Sequence, residues 1–410
     1  MFFIYKFLIN IIFFLSPLIL VIRLIKEKED LKRFKEKIGF FSKKRKKGNL
    51  IWFHGASVGE IQSVIPLIEK FEKNKKIDQI LVTSNTISSS KIIEKYKLKK
   101  TIHQFFPIDC NLISQKFLNY WKPLKVFFID SEIWPNTINN LSEQKIPIIL
   151  LNGRITKKTF KRWLFFPDFA KLLFNKFKLC LSSSLESKSY LKKLGVKNVK
   201  FIGNLKFSQS ENLGSELNKN LKKIIRSRNS WCASSTHFNE EKFCGHVHMK
   251  LKKKLKSPLT IIIPRHISRV KSIKNELNKL NLKVHLDEPK KRISADTDIY
   301  LVNSYGRTKS FYKECKNVFL GGSLIKHGGQ NPLEAVRYGC KVFHGPNVSN
   351  FREIYEFLKN KSLSKTVVND GNLANFLLSN FKKKVQHKKI IKNLHLIGKN
   401  ILNKTYKEIC

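Results

Sequence analysis

Gly321-Gly-Ser-Leu-Ile-Lys-His-Gly-Gly-Gln-Asn-Pro-Leu-Glu-Ala-Val-Arg-Tyr-Gly339 follows the apolar run Val318-Phe319-Leu320 and precedes Lys341-Val342-Phe343, so it reads as strand, glycine loop, helix, strand. Gly328 and Gly329 let the backbone come close to a ligand and adopt dihedrals closed to other residues. Pro332 suits the first turn of a helix, where its missing N–H costs nothing. The free N–H groups and the positive dipole end of that helix face the loop and form an anion site. Glu334, near the helix start, can accept hydrogen bonds from sugar hydroxyls. A loop for phosphate beside a carboxylate for ribose points to a nucleotide-linked donor. The plain alternative is an ordinary tight strand-to-helix turn.

Working outward, strand-like runs recur at 49–53, 79–83, 125–129, 146–151, 178–182 and 199–202, with helical patterns between them. A polar stretch over 207–228 reads as a linker. A second series follows at 231–233, 259–263, 283–285, 299–302, 318–320 and 341–344, and the chain closes in Lys- and Asn-rich helices. Strands alternating with helices predict parallel sheets covered on both faces. Two such α/β units place a ligand cleft at the carboxyl ends of their strands. The expected partition is 1–25, 26–47, 48–206, 207–228 and 229–410.

The 410 residues carry 80 Lys and Arg against 30 Asp and Glu, a net charge of +50. The lysine is scattered along the whole chain. Phe, Ile, Asn and Lys are heavily used and Met is scarce, which fits a coding bias better than selection for an anionic partner. Attraction to anionic lipid or substrate follows in either case. A nucleic-acid-binding protein would rest on charge alone, since no motif sets aromatic side chains among basic ones. The seven cysteines form no CxxC pair and fit neither a zinc site nor a disulfide framework. The histidines form no HExxH, so no metal is expected.

Phe7 to Ile22 is apolar except at Asn10, Ser16 and Pro17, with Lys6 before it and Arg23, Lys26 and Lys28 after it. Met1 to Tyr5 extend the run if Lys6 snorkels. No small-residue cleavage site precedes the basic stretch, so the segment 1–25 reads as an uncleaved membrane anchor, with a buried core helix as the alternative. The basic connector 26–47 then keeps the body in the cytoplasm.

Polar groups gather where strands end. Glu60 opens a helix after a glycine-containing loop, and a carboxylate placed there can take a proton from an attacking hydroxyl. Glu132 follows the strand ending at Ile129, and Arg154 follows another. Trp231 to His237 is a strand running into small hydroxyl residues, with Glu240 and Glu241 next. Arg265, beside His266, can grip phosphate through two parallel hydrogen bonds.

Seven segments, in order, resemble the 3-deoxy-D-manno-octulosonic acid (Kdo) transferases of lipid A biosynthesis: His54-Gly-Ala-Ser-Val-Gly-Glu60, Ser131-Glu-Ile-Trp-Pro-Asn136, Asn152-Gly-Arg154, Gly203-Asn-Leu-Lys206, Ala233-Ser-Ser-Thr-His237 with Glu240-Glu241, Pro264-Arg-His266, and Gly321-Gly-Ser323 with Gly328-Gly-Gln-Asn331. The resemblance implies an α/β GT-B glycosyltransferase with two Rossmann-like domains facing a central cleft. It implies CMP-Kdo as donor, a lipid A precursor of the lipid IVA type as acceptor, an inverting mechanism and no metal. It further implies Glu60 as general base with Glu132 nearby. Ser234, Ser235, Thr236, Pro264, Arg265, His266, Gly321, Gly322, Ser323, Gly328, Gly329, Asn331 and Glu334 would line the donor site. Ser57, Gly59, Arg154 and Lys206 would meet the acceptor, at the cytoplasmic face of the inner membrane. Thr83-Ser-Asn-Thr-Ile-Ser-Ser-Ser90 keeps the hydroxyl character of the family's threonine-rich run but lacks its Pro and Gly. The alternative reading is another GT-B transferase or an epimerase that uses a UDP-sugar.

Overall fold

The structure is a computed structural model that describes residues 1–96, 98–209, 216–288, 293–382 and 387–410. The chain divides into two compact units, residues 1–210 with 396–410, and residues 211–395. Each is built on a seven-stranded sheet in which every pairing is parallel. The first sheet comprises β1 (Leu50–His54), β2 (Gln79–Ser84), β3 (Thr101–Phe105), β4 (Lys125–Ile129), β5 (Ile148–Gly153), β6 (Leu179–Ser182) and β7 (Val199–Phe201), in the order β3-β2-β1-β4-β5-β6-β7. The second comprises β8 (Asn229–Thr236), β9 (Pro258–Pro264), β10 (Val284–Leu286), β11 (Ile299–Leu301), β12 (Asn317–Leu320), β13 (Lys341–His344) and β14 (Ser364–Thr366), in the order β10-β11-β9-β8-β12-β13-β14.

Both orders reverse direction once, between β1 and β4 in the first sheet and between β8 and β12 in the second. Loops leaving neighbouring strands diverge at such a point and leave a crevice beyond the strand ends. The pleat explains why the strands read as unbroken apolar runs. Leu50 and Trp52 of β1 join Val126 and Phe128 of β4 in one core, while Ile51 and Phe53 join Phe127 and Ile129 in the core on the opposite face. A strand covered on both faces has no polar side to display.

Three boundaries differ from expectation. The 26–47 segment is more than a connector, because two of its acids are buried in the first unit. Glu36 accepts the backbone N–H of Phe105 at 2.6 Å and pairs with Arg33, whose guanidinium also donates to the carbonyl of His103. Glu29 pairs with Arg23 and Lys37. The expected linker contains the helix Lys219–Ser227, which buries Leu221 and Ile225; residues 210–215 of that linker lie outside the described residues. The chain's last residues, 396–410, belong to the first unit rather than the second. Ile401 and Ile409 are buried in its core, and Tyr406 packs its ring on Phe71. All seven cysteines are free thiols, six of them buried.

Candidate functional site

In the first unit the chain leaves β1 through His54 and enters the Val58–Glu72 helix with a capping box. Ser57 accepts the N–H of Glu60 at 3.3 Å, and the Glu60 carboxylate accepts the N–H groups of Ala56 at 2.6 Å and Ser57 at 3.2 Å. This pins the carboxylate at the crevice end of β1. Across the reversal, Asp130 directly follows β4 and Asn152 is the last residue but one of β5, both in the left-handed region at φ 56° and 55°. Short polar side chains tolerate that conformation because they can bond locally. Asn152 donates to one Asp130 oxygen, Lys206 pairs with the other at 2.9 Å, and Arg154 donates its N–H to the Asp130 carbonyl.

Glu132 accepts a hydrogen bond from the Trp134 indole at 2.9 Å and lies 3.3 Å from Nε2 of the buried His54. The other ring nitrogen of His54 bonds Thr83. Glu60 therefore shares a small space with two further carboxylates. Burial first, then the charges of Asp130 and Glu132, push its pKa up to about 7 against the opposing hydrogen bonds from Ser57. A carboxyl that titrates at neutral pH is suited to accept a proton from a hydroxyl.

The expected acceptor contacts divide. A Cβ on Gly59 would meet open space, so the backbone there is approachable. The Ser57 hydroxyl is held in the helix cap and Lys206 in the pair with Asp130, so both act first on the site's own frame.

In the second unit a bulge between Ser234 and Thr236 sets Ser235 at φ 55° as β8 ends. Gly321 approaches so closely that a Cβ would lie 2.4 Å from the Ser235 carbonyl. The glycine loop is held from beneath by the buried Glu240. Its carboxylate accepts the N–H groups of His237, Gly322, Ser323 and Leu324 at 2.7–3.1 Å. The amides of Gly322 and Ser323, expected in the donor site, thus bond an internal carboxylate. Ser323 and Ser234 are likewise buried in the frame. The first donates to the Leu320 carbonyl and accepts from the Gly345 N–H; the second bonds the Tyr312 hydroxyl at 2.8 Å.

Gly328 and Gly329 have φ of 101° and 76°, as their role in a close turn requires. The following helix, Leu333–Arg337, is only five residues long, and Asn331 accepts the N–H of Leu333, so less of the expected anion site is open. Glu334 lies 3.6 Å from Lys309.

The groups facing outward form a basic cluster at the ends of β8, β9 and β12. Arg265 and His266 are exposed, and Arg265 is anchored by its N–H to the Thr236 carbonyl, next to Pro264, which pairs with Thr236. The His237 ring lies 4.5 Å from that of His327 and 5.9 Å from that of His266, and its buried Nε2 has no hydrogen-bond partner among the described residues. Burial, then the charges of His327, His266, Arg265 and Arg269, lower the His237 pKa to about 4, so the ring is neutral at pH 7. Arg269 is fixed by two bonds to the buried Glu241.

His54, Asp130, His237, Glu240 and His327 are site residues that the sequence does not single out, although all five stand within or beside quoted motifs. Two small polar residues at the ends of buried apolar runs, Asp130 and Asn152, are the legible signal for the first network. Glu240 stands in a segment that carries the resemblance, but its role does not show there, because a carboxylate in the first turn of a helix ordinarily reads as a solvated cap.

Two parallel sheets with polar groups gathered at both reversal points define the two-unit α/β architecture of the GT-B class. Residues 32–209 match the 3-deoxy-D-manno-octulosonic-acid transferase (kdotransferase) family. A 3-deoxy-D-manno-octulosonic acid transferase of Rickettsia bellii is 31% identical over 369 residues, covering 89% of this chain and 88% of its own. A probable mitochondrial 3-deoxy-D-manno-octulosonic acid transferase of Arabidopsis thaliana is 32% identical, covering 87% and 83%. The chain belongs to the 3-deoxy-D-manno-octulosonic acid transferase family. Among solved structures, a UDP-GlcNAc 2-epimerase from Neisseria meningitidis bound to UDP-GlcNAc has a TM-score of 0.58 at 13% identity, covering 88% of this chain and 98% of its own, a likeness of fold.

Proposed function

We propose that this Kdo transferase moves Kdo from CMP-Kdo to a hydroxyl of a lipid A precursor of the lipid IVA type, with inversion, at the cytoplasmic face of the inner membrane. The observation that carries the reading is Glu60, fixed by backbone N–H groups, raised to about 7 and placed at the reversal point of the first sheet. Glu60 takes the acceptor proton as the hydroxyl oxygen bonds to the anomeric carbon and the bond from that carbon to the CMP phosphate oxygen breaks. The electron pair leaves with CMP. Arg265 stabilises the departing phosphate as a cation and His237 as a neutral donor through Nε2. Glu132 and His54 hold the opposite wall of the crevice around Glu60. Family membership supports CMP-Kdo over a UDP-sugar, since the epimerase likeness is one of fold alone. No resident metal is proposed, and transfer is expected to persist in excess chelator. Titration with CMP and with UDP tests the donor. Binding of CMP at least tenfold tighter than UDP is expected, and a preference for UDP would overturn the reading.

A further inference from the structure

We propose that the first unit docks on one leaflet of an anionic bilayer through a two-part face, in which the N-terminal helix lies in the membrane plane and the turn Leu164-Phe165-Phe166 enters beside it. The helix Phe2–Ile25 has the length and hydropathy to cross a membrane. Its contacts place it along the unit instead. Phe2 packs its ring 6.0 Å from that of Phe169, Tyr5 donates to the buried Asp109 at 2.7 Å, and Cys110 donates to Asn10. Ser16 and Leu20 are buried, and Arg23 pairs with Glu29. Contacts from residue 2 to residue 23 run over about 30 Å of helix, the thickness of a hydrocarbon core. A spanning helix would carry one of its ends away from the unit. The outward face stays apolar, with Phe3 82% and Phe14 86% exposed.

The second part lies between the short helices Lys157–Trp163 and Pro167–Phe174. Leu164, Phe165 and Phe166 are exposed there, Phe165 at 75%. Lys157, Lys158, Lys161, Arg162 and Lys171 are exposed around them, with Asp168 the one acid in that stretch. Phe169 touches both Phe2 and Trp163, which joins the turn to the helix as one continuous surface. Apolar side chains ringed by cations match a leaflet with acyl chains below anionic headgroups. A protein partner would have to cover an apolar face that runs on into a helix of membrane hydropathy.

The inference rests on the membrane-bound reading above, and the test separates the two. Full-length protein is sedimented with vesicles of phosphatidylethanolamine and phosphatidylglycerol, as wild type and as the double variant Phe165→Asp, Phe166→Asp. The variant is expected to bind at least tenfold more weakly while keeping its melting temperature and its transfer to detergent-dispersed acceptor. Wild type that stays in solution would overturn membrane attachment itself. Wild type that binds, with a variant that binds equally well, would overturn the docking turn alone. In a Cys410→Ser background, fluorescent labels at Phe3→Cys, Ile25→Cys and Phe165→Cys should all be quenched by a shallow lipid-borne quencher. Labels at residues 3 and 25 that react with impermeant reagents from opposite sides of the vesicle would show a spanning helix and overturn the in-plane orientation.

Discussion

Glu60 is drawn in two directions. As the third residue of its helix it accepts two backbone N–H groups, which favour the carboxylate, while burial and the charges of Asp130 and Glu132 favour the protonated form and prevail. Below about pH 7 the group is protonated and cannot accept a proton. Transfer should therefore rise with pH through about 7 and then level off. Asp130→Asn removes a neighbouring negative charge and should move this acid limb to lower pH, whereas Lys206→Met leaves Asp130 uncompensated and should move it higher. A limb that responds to neither variant would separate the titration from Glu60. The same raised pKa bears on stability. Its contribution is fully present below the ordinary carboxyl pKa and is lost as pH rises through about 7, so Glu60→Gln should stabilise the protein at pH 8 by on the order of 1–3 kcal/mol and leave it unchanged at pH 4. In the second unit, Glu240→Gln replaces an acceptor of four N–H groups with an amide that must point two donors at them. We expect a loss of about 1–3 kcal/mol, read as a lower denaturation midpoint, with CMP binding weakened as the glycine loop loses its support. Arg265→Ala should weaken CMP binding and slow transfer together, since the cation meets phosphate before and during the reaction. Unchanged affinity would remove Arg265 from the donor site.

The elements that the sequence disclosed are those with apolar character on both faces. The expected strands at 79–83, 125–129 and 299–302 lie within a residue of β2, β4 and β11, because double-sided burial leaves unbroken apolar runs. β3 escaped for the opposite reason. Its Thr-Ile-His-Gln-Phe sequence carries two buried polar side chains, and their partners lie far away in sequence. His103 bonds Ser84 and Arg33, while Phe105 gives its N–H to Glu36. No local pattern discloses a strand held by a segment about 70 residues earlier, and the same contacts turn the supposed connector into part of the unit. Glu36→Ala should thus cost about 3 kcal/mol of stability, measured by denaturant unfolding, because it leaves Arg33 and a backbone N–H buried without their partner. A change under about 0.5 kcal/mol, typical of a surface substitution, would return 26–47 to the role of a tether. The helix 219–227 was hidden by its own polarity, since few of its residues are apolar and the lysines around them read as linker. The loops at both reversal points were legible from glycine and small polar residues after strands. Which of their groups face outward was not, because Glu240 holds the glycine loop from 82 residues before Gly322.

At the scale of the whole molecule, two sheets of the same design carry different chemistry at the same topological position. The first gathers carboxylates around one proton acceptor, and the second gathers arginine and histidine around a glycine turn. The division fits a reaction that must take a proton from one substrate and stabilise phosphate on the other. It also accounts for the spread of the resemblance, whose first four segments fall at strand ends of the first unit and whose last three fall at strand ends of the second. The net charge of +50 comes from lysine scattered along the whole sequence, which fits composition as its chief source. The proposed reaction turns on Glu60 as the base in Kdo transfer. It is tested most directly by following Kdo transfer from CMP-Kdo to a tetraacylated disaccharide bisphosphate with the purified full-length protein and its Glu60→Gln variant, at pH 8. Gln keeps the helix cap and cannot take the proton, so the variant should bind CMP normally and transfer slower by on the order of 10² to 10⁴. Transfer at the wild-type rate by the variant would rule Glu60 out as the base.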